Sequence, residues 1–199
     1  MMRIAEIAGR VPRWILFAAA ALVQVALIAL MVGDRAGILR EGAEVTLQTR
    51  PVDPRDFLRG DYVALNYAIS SLPAGELRNQ PSSGSGTRVF VKLAPNAEGF
   101  YEAVSVHAEP VAVTPPERLI RGSVAAGATC GDAHRLFCEQ LTINYGIESY
   151  FVPQGEGLEI EKARNQRKVS VVAAVTPAGR AAIKRLLIDG KPVYDEPLF

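Results

Sequence analysis

An uninterrupted apolar run from Trp14 to Val32 constrains this chain more than any other feature, since Gln24 is its one strongly polar residue. At 1.5 Å per residue, a helix over this run would be about 28 Å long, close to the thickness of the hydrocarbon core of a bilayer. A segment in lipid must satisfy its own backbone hydrogen bonds, as an α-helix does. A buried core helix would be shorter and would have a polar face. The run therefore predicts a transmembrane helix over residues 14–32, in contact with the lipid bilayer.

The charges that flank the run predict its orientation. Three arginines and one acid precede it, and the first two charges after it cancel: Arg3, Arg10, Arg13 and Glu6, then Asp34 and Arg35. Positively charged flanks stay on the cytoplasmic side of a membrane. Residues 1–13 are therefore expected to be cytoplasmic, and the C-terminal part of a single-pass protein to lie outside.

A cleaved signal peptide is the competing interpretation of the apolar run. Its hydrophobic region would be shorter, and a cleavage site with small residues would follow. The sequence Met31-Val32-Gly33-Asp34-Arg35 does not fit such a site. We therefore favour an uncleaved anchor, followed by a linker at residues 33–42 and an extracytoplasmic domain at residues 43–199.

That domain has the sequence pattern of a β-rich fold. Residues 44–49 and 61–70 alternate apolar and polar side chains, as half-buried strands do. Residues 181–188 suit a strand or a helix, but the Asp189-Gly190 turn that follows favours a hairpin. Good helix formers at residues 157–167 predict one short helix. The expected class is mainly β: an N-terminal transmembrane helix followed by an antiparallel β-sandwich or partly open barrel with one short helix.

The composition limits the classes of partner. The chain has 199 residues with 22 basic and 21 acidic side chains, a net charge of +1, and 49% of its residues are hydrophobic. Without a basic excess, no nucleic acid is expected as a partner. The sequence has no P-loop, H-E-x-x-H or C-x-x-C motif, and no cofactor is expected.

Two cysteines, Cys130 and Cys138, lie in the part of the chain predicted to be exported. Disulfides persist outside the cytoplasm, and the intervening segment can fold back as a hairpin, so we predict a disulfide between them. Two free thiols, or a metal site that includes His134, are the alternatives, although the spacing fits no standard zinc pattern. The bridge predicts that neither thiol of the folded protein reacts with an alkylating reagent before reduction. Rapid labelling of both unreduced thiols would contradict it.

One motif is specific. Residues 60–67 read Gly-Asp-Tyr-Val-Ala-Leu-Asn-Tyr, which fits G-D-Y-x-x-L-x-Y without departure. The motif follows an apolar anchor, and Tyr150-Phe151-Val152-Pro153 occurs later in the chain. In these features the chain resembles the bacterial GDYXXLXY protein family. The resemblance implies a protein of unknown function anchored in the bacterial cytoplasmic membrane, and a multi-pass membrane protein as a partner.

The motif residues allow two interpretations. In the structural one, Gly60 permits a turn, Asp61 accepts hydrogen bonds there, and Leu65 and Tyr67 enter the core from one face of a strand. In the functional one, the side chains of four residues form a binding edge: Arg55, Arg59, Asp61 and Tyr62. The function expected is a membrane-anchored extracytoplasmic binding or accessory module that acts with another membrane protein.

The alternative function is a cell-envelope hydrolase, either similar to signal peptidases or acting on glycans. The segment 58–63 resembles the Gly-Asp turn of signal peptidases. In that pattern the nucleophilic serine stands eight residues before the glycine, where this chain has Val52. Lys92 could serve as a base only if such a serine were present, and His107 fits a structural place in a strand. No catalytic residue is therefore assigned, and enzymatic activity is not expected.

Overall fold

The computed structural model describes residues 12–51, 62–73, 85–125, 140–151 and 157–196. The chain divides into two compact units, one that ends at Gly37 and one that begins at Ile38. Helix α1 (Arg13–Glu41) forms the first unit and contributes its last turn to the second. The most apolar stretch of 18 residues in this helix has a mean hydropathy of 2.7 and is 0% buried. Length and composition suit a membrane span, and a signal sequence near an N-terminus has the same two features.

The segment expected as a linker at residues 33–42 is helical as far as Glu41. Gly33, Gly37 and the charges between them suggested a break, but the residues from Ile38 to Glu41 are good helix formers. Ile38 and Leu39 are also buried against Ala174 and Ala182 of the second unit. This packing stabilises the last turn beyond what its composition would provide.

The second unit is built from short strands, and the class predicted from the sequence is confirmed: mainly β, antiparallel, with one short helix and, in the described part of the chain, no closed barrel. Its strands are β1 (Ala43–Arg50), β2 (Tyr62–Ala64), β3 (Asn66–Tyr67), β4 (Ser71–Pro73), β5 (Arg88–Pro95), β6 (Tyr101–His107), β7 (Arg118–Val124), β8 (Gln140–Asn144), β9 (Ser149–Phe151), β10 (Val169–Val175), β11 (Ala181–Ile188) and β12 (Lys191–Asp195). Helix α2 (Gly157–Asn165) precedes β10.

The strands form two five-stranded sheets and a ribbon, all with antiparallel pairing. The first sheet has the order β12-β11-β10-β1-β3, and the second has the order β4-β8-β7-β5-β6. The ribbon consists of β2 and β9. Both sheets contribute to one hydrophobic core, in which Val45 and Leu47 of the first sheet pack together with Val91 and Ile120 of the second.

The turn at Asp189-Gly190 decides the conformation of the segment before it. Both residues have a positive φ, of 49° and 75°, as the tight turns of β-hairpins require. The turn joins β11 to β12, so the hairpin interpretation of residues 181–188 is confirmed and the helical one is wrong. Here turn chemistry outweighs the helix propensity of alanine, lysine, arginine and leucine.

The strand predicted for residues 61–70 is interrupted. Strand β2 pairs with β9, whereas β3 pairs with β1. Ala68–Ser70 then forms one turn of 3-10 helix. The hydroxyl of Ser70 accepts a hydrogen bond from the backbone N–H of Tyr67, which closes this turn. The predicted inward face is nonetheless buried, with Val63, Leu65, Tyr67 and Ile69 all in the core.

Candidate functional site

Hydrogen bonds from two tyrosines connect the second half of the sequence motif to the segment 145–148. The hydroxyl of Tyr67 donates to the backbone oxygen of Ile147. In the opposite direction, the hydroxyl of Tyr145 donates to the backbone oxygen of Ile69 at 2.7 Å. Burial raises the pKa of both phenols well above the usual value, and the Glu148 carboxylate adds to the effect. The two side chains are therefore neutral donors that connect two distant parts of the chain.

The side chain of Glu148 also stabilises the segment 145–148. Its carboxylate accepts hydrogen bonds from the backbone N–H groups of Tyr145 and Gly146. Gly146 has a φ of +79°, which suits glycine far better than any other residue. The backbone oxygen of Glu148 in turn accepts from the N–H of Leu65 at 2.7 Å. Leu65 and Tyr67 thus fix the approach to β9 by side-chain burial and by hydrogen bonds together.

A buried arginine reaches the motif from helix α2. Arg164 is 0% exposed, and its Nη1 donates to the backbone oxygen of Ala64 at 2.6 Å. Its Nη2 lies 3.4 Å from the side-chain oxygen of Asn165. A fully buried guanidinium requires several polar partners, because desolvation of a charge is costly. The arginine therefore connects helix α2 to strand β2.

The ribbon presents one residue inward and its neighbour outward. Tyr150 is buried, and its ring meets that of Tyr194 edge to face, with 5.8 Å between the centroids. Burial is also the main cause that raises the pKa of Tyr150. Phe151 is 78% exposed and pairs in register with Tyr62 of the motif. The side chains of Tyr150 and Phe151 therefore lie on opposite faces of the ribbon.

Several residues chosen from the sequence lie outside the described residues. They are Arg55, Arg59, Gly60 and Asp61 of the motif region, together with Cys130 and Cys138. The backbone of Tyr62 begins strand β2. The binding edge and the disulfide therefore stay predictions. Among the described residues, no group of three His, Cys, Asp or Glu side chains could hold a metal ion.

With this geometry in place, a comparison with protein families decides the relationship. A family model described as GDYXXLXY protein matches residues 24–186, which is most of the chain. The chain belongs to the GDYXXLXY family. No curated protein and no solved structure matches it significantly. The resemblance inferred from residues 60–67 is thereby confirmed.

In this GDYXXLXY protein, the structure adds two residues that sequence reasoning missed. One is Arg164 and the other is Glu148, and both act on the motif through its backbone. A signal for Arg164 was present, because it stands four residues after the buried Ile160 and so shares that face of helix α2. Nothing in the local sequence around Glu148 distinguishes it from an exposed acid.

Proposed function

We propose that this GDYXXLXY protein is a membrane-anchored extracytoplasmic binding or accessory module that acts beside a multi-pass membrane protein. The observation that carries the proposal is helix α1, whose most apolar stretch is long enough to cross a membrane and is 0% buried by the rest of the chain. Such a surface requires lipid or other helices around it. It precedes a β domain, and the charges before Trp14 favour export of that domain.

Helix α1 also offers a face on which another helix can pack. Ala29, Gly33 and Gly37 recur every four residues and therefore lie on one side of the helix. A Cβ atom added to either glycine would meet nothing within 4 Å. Ala29 lies within the span predicted at residues 14–32 and the two glycines follow it, and small residues at this spacing let two helix backbones approach closely. This supports a membrane protein as the partner.

A second contact surface is proposed at the motif, on the exported domain. It comprises Arg55, Arg59, Asp61 and Tyr62, and the exposed Phe151 that pairs with Tyr62 extends it. Interfaces are enriched in aromatic residues and arginine, which supports a protein as the occupant. The proposal assigns no catalytic residue and no cofactor to this surface.

The orientation has a direct test. A reporter that is active only outside the cytoplasm should be active when it is fused after Phe199, because the arginines before Trp14 keep the N-terminus inside. The intact mass of the membrane-bound protein should include residues 1–13, as an uncleaved anchor requires. Activity of a cytoplasm-only reporter at the same site would contradict the orientation, and loss of the N-terminal mass would contradict the anchor.

The contact surface can be separated from the fold by crosslinking in native membranes. Tyr62→Ala, Asp61→Asn and Phe151→Ser should each lower the yield of the product crosslinked to a multi-pass protein, with the thermal midpoint within about 2 °C of the unsubstituted protein. Val193→Ser is the matched control, since Val193 is a 50% exposed apolar residue on strand β12.

Two outcomes would overturn this surface. One is an unchanged yield for both Tyr62→Ala and Phe151→Ser. The other is an equal loss for the control Val193→Ser, which would show that any exposed apolar residue of the domain has the same effect. A loss confined to the three motif variants would support the proposed function.

A further inference from the structure

A β-bulge in strand β6 changes which of its residues face the core. Lys92 pairs with Ser105 and Leu93 pairs with Ala103, so Val104 is an extra residue in the ladder. A bulge of this kind reverses the side-chain alternation along the strand. Val106 consequently enters the core, while Ser105 and His107 on either side of it share the other face of the sheet.

The two polar residues on that face are in direct contact. The hydroxyl oxygen of Ser105 lies 2.8 Å from Nε2 of His107. Among the described residues, this hydroxyl makes no other hydrogen bond. Ser105 is only 6% exposed, whereas His107 is half-buried and reachable from solvent. A hydroxyl within hydrogen-bond reach of an imidazole is the arrangement in which a base activates a nucleophile.

The lysine paired in register with Ser105 has a carboxylate partner of its own. Lys92, the register partner of Ser105, pairs through Nζ with Oε1 of Glu117 at 2.7 Å. Its ammonium group is therefore held by a carboxylate.

We propose that Ser105 is a nucleophile activated by His107, which accepts acyl groups from small carboxylic esters. This goes beyond the proposed function, which assigns no chemistry to the domain. Oγ of Ser105 forms a bond to the carbonyl carbon while its proton passes to Nε2 of His107. The alkoxide leaves and takes that proton as an alcohol. Water then adds to the acyl-serine, again with His107 as the base, and releases the carboxylic acid and the free hydroxyl.

A small alkyl phosphonofluoridate tests the nucleophile without knowledge of the natural ester. The serine oxygen replaces fluoride at phosphorus, fluoride leaves, and the proton is taken by His107. Mass spectrometry of the full-length protein should locate the phosphonyl group on Ser105. His107→Gln keeps a hydrogen-bond partner for the hydroxyl but cannot accept a proton, so it should slow labelling by about 10²–10⁴-fold at an unchanged thermal midpoint.

Ser149→Ala is the matched control, because Ser149 is an exposed strand serine. It should leave labelling unchanged, whereas Ser105→Ala should abolish it. Absence of a phosphonyl group on Ser105 in the unsubstituted protein would overturn the proposal. Labelling of Ser105 at the same rate in His107→Gln, or labelling of Ser149 as fast as Ser105, would overturn it as well.

Discussion

Replacing Tyr67 by alanine is expected to lower the free energy of unfolding by about 3–5 kcal/mol, the usual cost of truncating a buried aromatic side chain. Tyr67 is fully buried, and its hydroxyl holds the backbone oxygen of Ile147. A domain of this size has a stability of roughly 5–15 kcal/mol. The substitution should therefore bring the domain close to unfolding. Chemical denaturation, followed by circular dichroism of the strands, measures the change.

The phenylalanine variants isolate the hydrogen bonds from the packing. Tyr67→Phe should cost about 1–2 kcal/mol, because it leaves the buried oxygen of Ile147 without its donor. Tyr145→Phe should cost a similar amount through the oxygen of Ile69. Since both bonds join the same two segments, the double variant should deviate from additivity. Full stability of Tyr67→Phe would show that its hydroxyl is not a structural donor.

The same tyrosines give the domain a sensitivity to high pH. Their pKa values are raised above the ordinary 10.0 in the folded protein. The folded state therefore keeps protons that the unfolded state releases, and the stability contribution is complete below about pH 10 and is lost above it. Tyr67→Phe removes one of these groups, so the slope of its stability against pH should be less steep in that range.

How far the sequence predicts this fold depends on the range of the interactions involved. The alternation at residues 44–49 and the Asp189-Gly190 turn predict their elements because both act within a few neighbours. The break of the strand after Ala64 is different. There the chain leaves β9 and pairs with β1, and the bonds of Tyr67 and Tyr145 span more than seventy residues. No local pattern contains such information.

Some features of the candidate site likewise follow from local sequence, whereas others depend on the fold. Burial of Leu65 and Tyr67 follows from period-two alternation, and the family follows from the motif itself. The contribution of Arg164 required the distance to Ala64, which only the fold supplies. The contact between Ser105 and His107 depended on a bulge, because regular alternation would have placed both side chains in the core beside Ala103. A single extra residue in one strand is not visible in sequence periodicity.

Arg164→Met is expected to lower the free energy of unfolding by about 2–4 kcal/mol. Methionine replaces most of the buried volume, so the loss measures chiefly the polar contacts of the guanidinium, among them the hydrogen bond to the oxygen of Ala64. Arg164→Lys keeps the charge but not the planar fork of donors, and its cost should be intermediate. Lys162→Met, on the exposed face of the same helix, is the control and should change stability by less than about 0.5 kcal/mol.

The arginine variant also tests whether helix α2 positions the part of the motif in strand β2. Ala64 lies in strand β2 with Tyr62, so weakening the contact at Ala64 should loosen the ribbon that presents Phe151. Partner yield should then fall together with thermal stability in Arg164→Met, whereas Phe151→Ser should lower yield alone. Replacement of a buried charge by an apolar residue is neutral in some proteins. If Arg164→Met retained full stability and full partner yield, helix α2 would not be the element that positions the motif.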